Sequence, residues 1–205
     1  MQRRFVSREG RKGVGLLPPN PTRWEQEHNG LDVRKVLGVG VDSRLDLDAT
    51  FGLLEAVIDV IPHTALPLDP ITLQQAAGAQ RAVWSGMCVP IPGSGEYLVV
   101  YNAEQPMVRT RATLMEEFFH LWLGHPPTVI RAYADGHSRR DFDSAKESEA
   151  YGSGAAALVP YKGLKAMLER SAPVVEIARH YEVSEPLVEF RIKVSKLSRL
   201  RTAAA

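Results

Sequence analysis

The chemistry-bearing residues of this chain lie where charge is least expected. Residues 110–125 contain Leu114, Met115, Phe118, Phe119, Leu121, Trp122 and Leu123. Read as a helix, the segment is apolar almost all round, so it belongs inside a domain. Glu116, Glu117 and His120 nevertheless stand in its middle. Positions three and four apart share a helix face, which puts both carboxylates beside the imidazole. A buried carboxylate without compensation is very costly, so the cluster calls for a metal ion, a cationic partner or water.

The spacing resembles the zincin motif H-E-x-x-H, in which histidines at i and i+4 hold zinc and the intervening glutamate is general base toward water. Glu116 replaces the first histidine, Glu117 takes the base position and His120 the second ligand position. A second reading of the same residues stands beside it. Thr113 to Glu116 fits a capping box, with Thr113 as N-cap; Glu117 then pairs with an arginine and His120 is a satisfied core histidine. His125 follows His120 by five residues, one short of the spacing of a third zinc-binding histidine, and reads as a helix-end residue.

The rest of the chain must position these groups. Its 205 residues suffice for one domain with a core plus an appendage. Hydrophobic content of 44% and charged content of 24% are those of a globular protein, and a net charge of +1 gives no overall field toward nucleic acid or membrane. The one cysteine, Cys88, excludes an internal disulfide and a thiolate-rich zinc site. No apolar run is long enough to span a bilayer, and no apolar segment follows the basic N-terminus, so a cytoplasmic protein without membrane contact is expected.

Along the chain, residues 1–30 read as a poorly ordered lead containing Arg3, Arg4, Arg8, Arg11 and Lys12. Residues 45–61 read as a helix with Asp48 as N-cap, a stripe of Phe51, Leu54, Val57, Ile58 and Ile61, and Pro62 as its stop. A short helix is expected over 71–77. Strands over 82–91 and 96–102 flank a Pro92-Gly93-Ser94-Gly95 turn, with Pro90 marking an edge. Residues 128–143, His137 among them, read as an irregular charged loop. A helix then runs from about Ser144, rich in Ala and Gly, with Glu147 and Glu149 at its start.

Taken together, the hairpin, the Arg109–His120 segment, Glu147-Ser148-Glu149-Ala150 and Ala155-Ala156-Ala157-Leu158-Val159-Pro160 resemble the ImmA/IrrE family of metallopeptidase-like proteins over about residues 45–197. That resemblance implies an α+β, zincin-like domain with a small antiparallel sheet packed on helices. It implies Glu116, His120 and Glu147 as metal ligands and Glu117 as the catalytic base. A Glu–His–Glu set is chemically able to hold Zn²⁺, but it carries one more negative charge than a His₂Glu set. The extra charge weakens the metal as a Lewis acid, and the added oxygen suits Mn²⁺ or Mg²⁺ better. The resemblance further implies a protein substrate such as a helix-turn-helix repressor, and a role in stress response. A metal-free pseudopeptidase that binds a partner protein is the alternative.

The C-terminal segment has helix-turn-helix spacing: a helix over 173–181, a turn at Glu182-Val183, and Ser184 capping the next helix. Glu185 and Glu189 would face phosphates at the front of a DNA reader, while Arg191, Lys193, Lys196, Arg199 and Arg201 follow. Packing against the peptidase core is the preferred role, with DNA binding second. The expected division is a 1–44 extension, a 45–165 zincin-like domain and a 166–205 helical unit.

Overall fold

The computed structural model describes residues 17–67, 85–125, 130–132, 138–140 and 143–202, with only the backbone of 130–132, 138–140 and Thr202. The 71–77 helix, the basic N-terminal cluster and His137 fall outside these residues. The architecture is α+β. Among the described residues, a three-stranded sheet is built from β1 (Val57–Pro62), β2 (Gly86–Pro90) and β3 (Tyr97–Tyr101) in the order β1-β3-β2.

The sheet corrects two expectations. Residues 45–61 are not one helix: α2 covers only Leu47–Phe51, capped by the Asp46 carboxylate, which accepts from the Ala49 amide at 2.8 Å. Val57-Ile58-Asp59-Val60-Ile61 then forms β1. Its β-branched side chains pack readily on a pleated surface, and a short apolar run does not by itself distinguish the two periods. With β1 added, the sheet is mixed rather than antiparallel. β1 runs parallel to β3, pairing Val60 with Val99, and β2 runs antiparallel, pairing Cys88 with Val99. The turn between β2 and β3 carries positive φ at Gly93 and Gly95, and Pro90 sits on an edge strand as expected.

Helix α3 (Met107–Trp122) packs on β2 and β3 with one side and on α4 (Ser144–Leu158) with another. It begins six residues before the expected N-cap. Pro106 leads it without a side-chain cap, and Thr113 is a buried residue of its interior, so the capping-box reading fails. Leu114, Met115, Phe118 and Phe119 are buried, and Phe118 stacks on Trp122 with ring centroids 5.6 Å apart. The 128–143 loop is less irregular than expected: β4 (Ile130–Ala132) pairs antiparallel with β5 (Ser138–Arg140).

The small residues of α4 let it lie between two helices at once. On one side a Cβ added at Gly154 would stand 3.0 Å from the Met115 carbonyl carbon of α3. On the other, α1 (Trp24–Val36) approaches so closely that a Cβ on Gly30 would stand 2.6 Å from the Ala157 amide nitrogen. The poorly ordered lead expected through residue 30 is corrected over the described residues: Pro21–Arg23 form a short 3-10 helix that runs into α1 at Trp24. Glu27 of α1, 1% exposed, accepts from the Tyr161 amide at 2.7 Å and pairs with the buried Arg191 guanidinium. Arg34, also buried, donates to the Ala157 carbonyl at 2.6 Å.

Four further helices follow: α5 (Tyr161–Glu169), α6 (Val174–Tyr181), α7 (Glu185–Val194) and α8 (Ser198–Thr202). Glu182, with φ of 52°, turns α6 toward α7, and Ser184 caps α7, as read from the sequence. Ile177, Tyr181, Leu187, Val188 and Ile192 join the same hydrophobic core as α3 and α4. No described helix is long and apolar enough to cross a membrane.

Candidate metal centre

Tight contact between α3 and α4 brings the candidate residues together. Met115, whose backbone faces Gly154, immediately precedes Glu116. Glu147 lies in the first turn of α4, which Asp143 caps by accepting from the Ala145 and Lys146 amides at 3.1 and 3.3 Å. These bonds and the Lys146 ammonium hold the Asp143 carboxyl below its ordinary range. Glu116, His120 and Glu147 each offer a ligand atom, and these atoms lie within 4.8 Å of one another. The His120 Nε2 atom is 3.5 Å from a Glu147 carboxylate oxygen. The three side chains are neither sealed nor open: His120 is 18% exposed and Glu147 22%. One imidazole and two carboxylates, converging half-buried, form a donor set suited to a divalent cation.

The two consecutive glutamates diverge. Glu116 lies close enough to Tyr151 of α4 that its charge, after burial, raises the phenol's pKa. Glu117 bears instead on Cys88 of β2: burial, and secondarily the Glu117 charge, push that thiol up to about 12. Thus Glu116 lies near α4 and joins its donor set, while the Glu117 charge is felt at the edge strand.

Three neighbours were not assigned to the site from the sequence. Tyr151 follows Glu147 by four residues, a spacing that places it on the same face. His125 and Glu149 form the other two. Beyond Trp122 the chain closes a Schellman turn, with Gly124 at φ of 71°, His125 N donating to His120 O at 2.8 Å and Gly124 N to Leu121 O at 3.1 Å. His125 is thus a helix-end residue, as expected, and the turn folds its ring back on His120. The Nδ1 atoms of the two rings are 3.1 Å apart, and His125 Nε2 is 3.2 Å from Glu149 Oε2. The Gly-His pair after an apolar helix marks the helix end in the sequence, but not the contact with His120 or Glu149.

A small mixed sheet, a buried helix laid across it and a donor set shared with a second helix define a zincin-like α+β domain. The family model for the IrrE N-terminal-like domain, Peptidase M78, matches residues 71–193, more than half the chain, and the protein belongs to that family. The family connection supports a metallopeptidase-type function. No curated protein gives a significant match to the chain.

Proposed function

We propose that the protein is a metal-dependent endopeptidase in which Glu116, His120 and Glu147 hold a divalent cation, zinc foremost, and Glu117 is the general base. The convergence of those three ligand atoms within 4.8 Å, across two helices, carries this reading. The cation would supply Lewis acidity and make water more acidic. Glu117 then has the chemistry of a base, because its carboxylate stands one residue from the donor set and bears on β2. Among the described residues β2 is an outer strand, with Met87 and Val89 partly exposed. An extended peptide pairing with that edge would present its backbone beside Glu117. The substrate class in this reading is a protein such as a helix-turn-helix repressor cleaved under stress.

Glu117→Gln tests the mechanism. The variant should keep its metal and lose proteolysis of an unfolded protein substrate; undiminished cleavage rules out the assigned base. One observation favours a second reading: Glu116 stands where the H-E-x-x-H motif has an imidazole. A pseudopeptidase that binds a partner through the same cleft would purify with far less than one equivalent of divalent metal. DNA binding through α6 and α7 has weaker support. The Arg191 guanidinium is buried against Glu27 and Arg201 is engaged by Glu189 at 2.6 Å, which takes two of the cations away from phosphate, and Glu185 stands in the first turn of α7.

A further inference from the structure

The geometry points to His125 and Glu149 as positioning residues that fix which nitrogen of His120 faces the donor cluster. This inference rests on the metal reading proposed above. His120 has its two ring nitrogens engaged on opposite sides. Nε2 looks to Glu147 at 3.5 Å and Nδ1 to His125 Nδ1 at 3.1 Å. His125 in turn points its Nε2 at Glu149, 3.2 Å away. The three side chains make an unbroken chain from a solvent-reaching carboxylate, 41% exposed, through a buried ring, 8% exposed, to the candidate ligand.

Counting ring protons shows what the chain does. Two neutral imidazoles carry one proton each. A hydrogen bond between the two Nδ1 atoms uses one of them, given by one ring and accepted by the other. If His125 gives it, the His120 proton must sit on Nε2, facing Glu147, and His125 Nε2 turns a bare lone pair on the Glu149 carboxylate. If His120 gives it, the His125 proton lies on Nε2 and is donated to Glu149, while His120 Nε2 keeps its lone pair for a cation beside Glu147. Glu149 can accept only in the second arrangement and Glu147 only in the first; the contact to Glu149, 3.2 Å against 3.5 Å to Glu147, favours the second, the tautomer a metal ligand needs. The E-x-E spacing on α4 thereby divides two roles: Glu147 joins the donor set, and Glu149 orients it through His125.

The test uses ring ¹⁵N shifts of the histidines and zinc competition with a chelator, on the full chain. In chelator-stripped wild type, His120 should carry its proton on Nδ1 and His125 on Nε2. Glu149→Ala, at an exposed position, should shift both rings toward the opposite tautomer, although the substitution does not touch His120. His125→Phe should weaken zinc binding about ten- to hundredfold, the range for removing an outer partner of a ligating histidine. His125→Asn, whose side-chain oxygen can accept from Nδ1–H, should recover part of that loss. A merely packing role predicts the reverse order, with Phe the milder change. An unchanged His120 tautomer in Glu149→Ala, or zinc affinity in His125→Phe within about twofold of wild type, overturns the proposal. Wild type that takes up no zinc sinks the peptidase reading instead, and the ring shifts of the metal-free protein then decide the positioning chain on their own.

Discussion

His120 and Glu147 sit on different helices, 3.5 Å apart from ring nitrogen to carboxylate oxygen, with Glu116 converging on the same space. Two carboxylates around one imidazole set the character of the centre. The set carries more negative charge than two imidazoles and one carboxylate, which blunts a cation's pull on electrons. Glu116→His removes one charge and supplies a softer ligand. Zinc affinity should rise relative to Mn²⁺, and hydrolysis should accelerate; a gain of roughly 1.4 kcal/mol in transition-state stabilisation reads as a tenfold faster rate. Metal competition and single-turnover cleavage measure both. A variant with weaker zinc binding than wild type would place Glu116 outside the donor set.

The Cys88 thiol reports on Glu117. Burial is the larger cause of its elevation to about 12 and the Glu117 charge the smaller. At pH 9, in metal-free folded protein, iodoacetamide should modify Cys88 at least about tenfold more slowly than in the urea-unfolded chain, because the thiolate is the reactive form. Glu117→Gln should speed the folded-state reaction without matching the unfolded rate, since burial stays. The thiol's folded pKa lies above the ordinary thiol value of about 9. Its contribution to stability is therefore complete below pH 9 and is lost as pH rises from 9 through about 12. An identical alkylation rate in the glutamine variant would separate Glu117 from β2.

How far the chain could be read follows from where the period of its apolar residues is unambiguous. Residues 114–122 are apolar on nearly every face over several turns, and no strand accommodates that, so α3 was legible; its start was not, because Thr113 mimics an N-cap inside a helix that Pro106 begins. Phe51, Leu54, Val57, Ile58 and Ile61 also satisfy a helical stripe, yet the last three lie in β1, where pairing with β3 outweighs the local pattern. Glu116, Glu117 and His120 could be singled out by type and spacing, and Glu147 only through the family resemblance. His125 and Glu149 could not, because their contact depends on a Schellman turn and on a helix packing that no local spacing encodes. α1 was hidden for a related reason: its core-facing residues include Glu27 and Arg34, polar groups that read as surface until their partners are known.

Gly154 tests whether helix packing sets the donor geometry. A Cβ there would lie 3.0 to 3.1 Å from Met115 backbone and Cβ atoms, next to Glu116. Valine cannot be accepted without α3 and α4 moving apart. Gly154→Val should cost about 1–3 kcal/mol in urea unfolding, as overpacking does. It should weaken metal binding in the protein that remains folded, because Glu116 and Glu147 separate. Unaltered affinity in a destabilised variant would show that the donors adjust independently of the helix contact.

The Glu27–Arg191 pair ties α1 to α7 across the core. Both side chains are almost wholly buried, at 1% and 2% exposure, and Glu27 also accepts from the Tyr161 amide while Arg191 Nε donates to the Val159 carbonyl at 2.9 Å. Their ionisation is tolerable only because each charge has its partner and its hydrogen bonds. Glu27→Ala leaves a buried guanidinium uncompensated and the Tyr161 amide without its acceptor, and should cost about 3–5 kcal/mol in denaturant unfolding. The double replacement Glu27→Met with Arg191→Met removes both charges and should recover much of that loss, since an apolar pair of similar size avoids the desolvation cost. A single substitution costing no more than an exposed ion pair, under about 1 kcal/mol, would mean that water reaches the pair and that α1 is not held to α7 by charge.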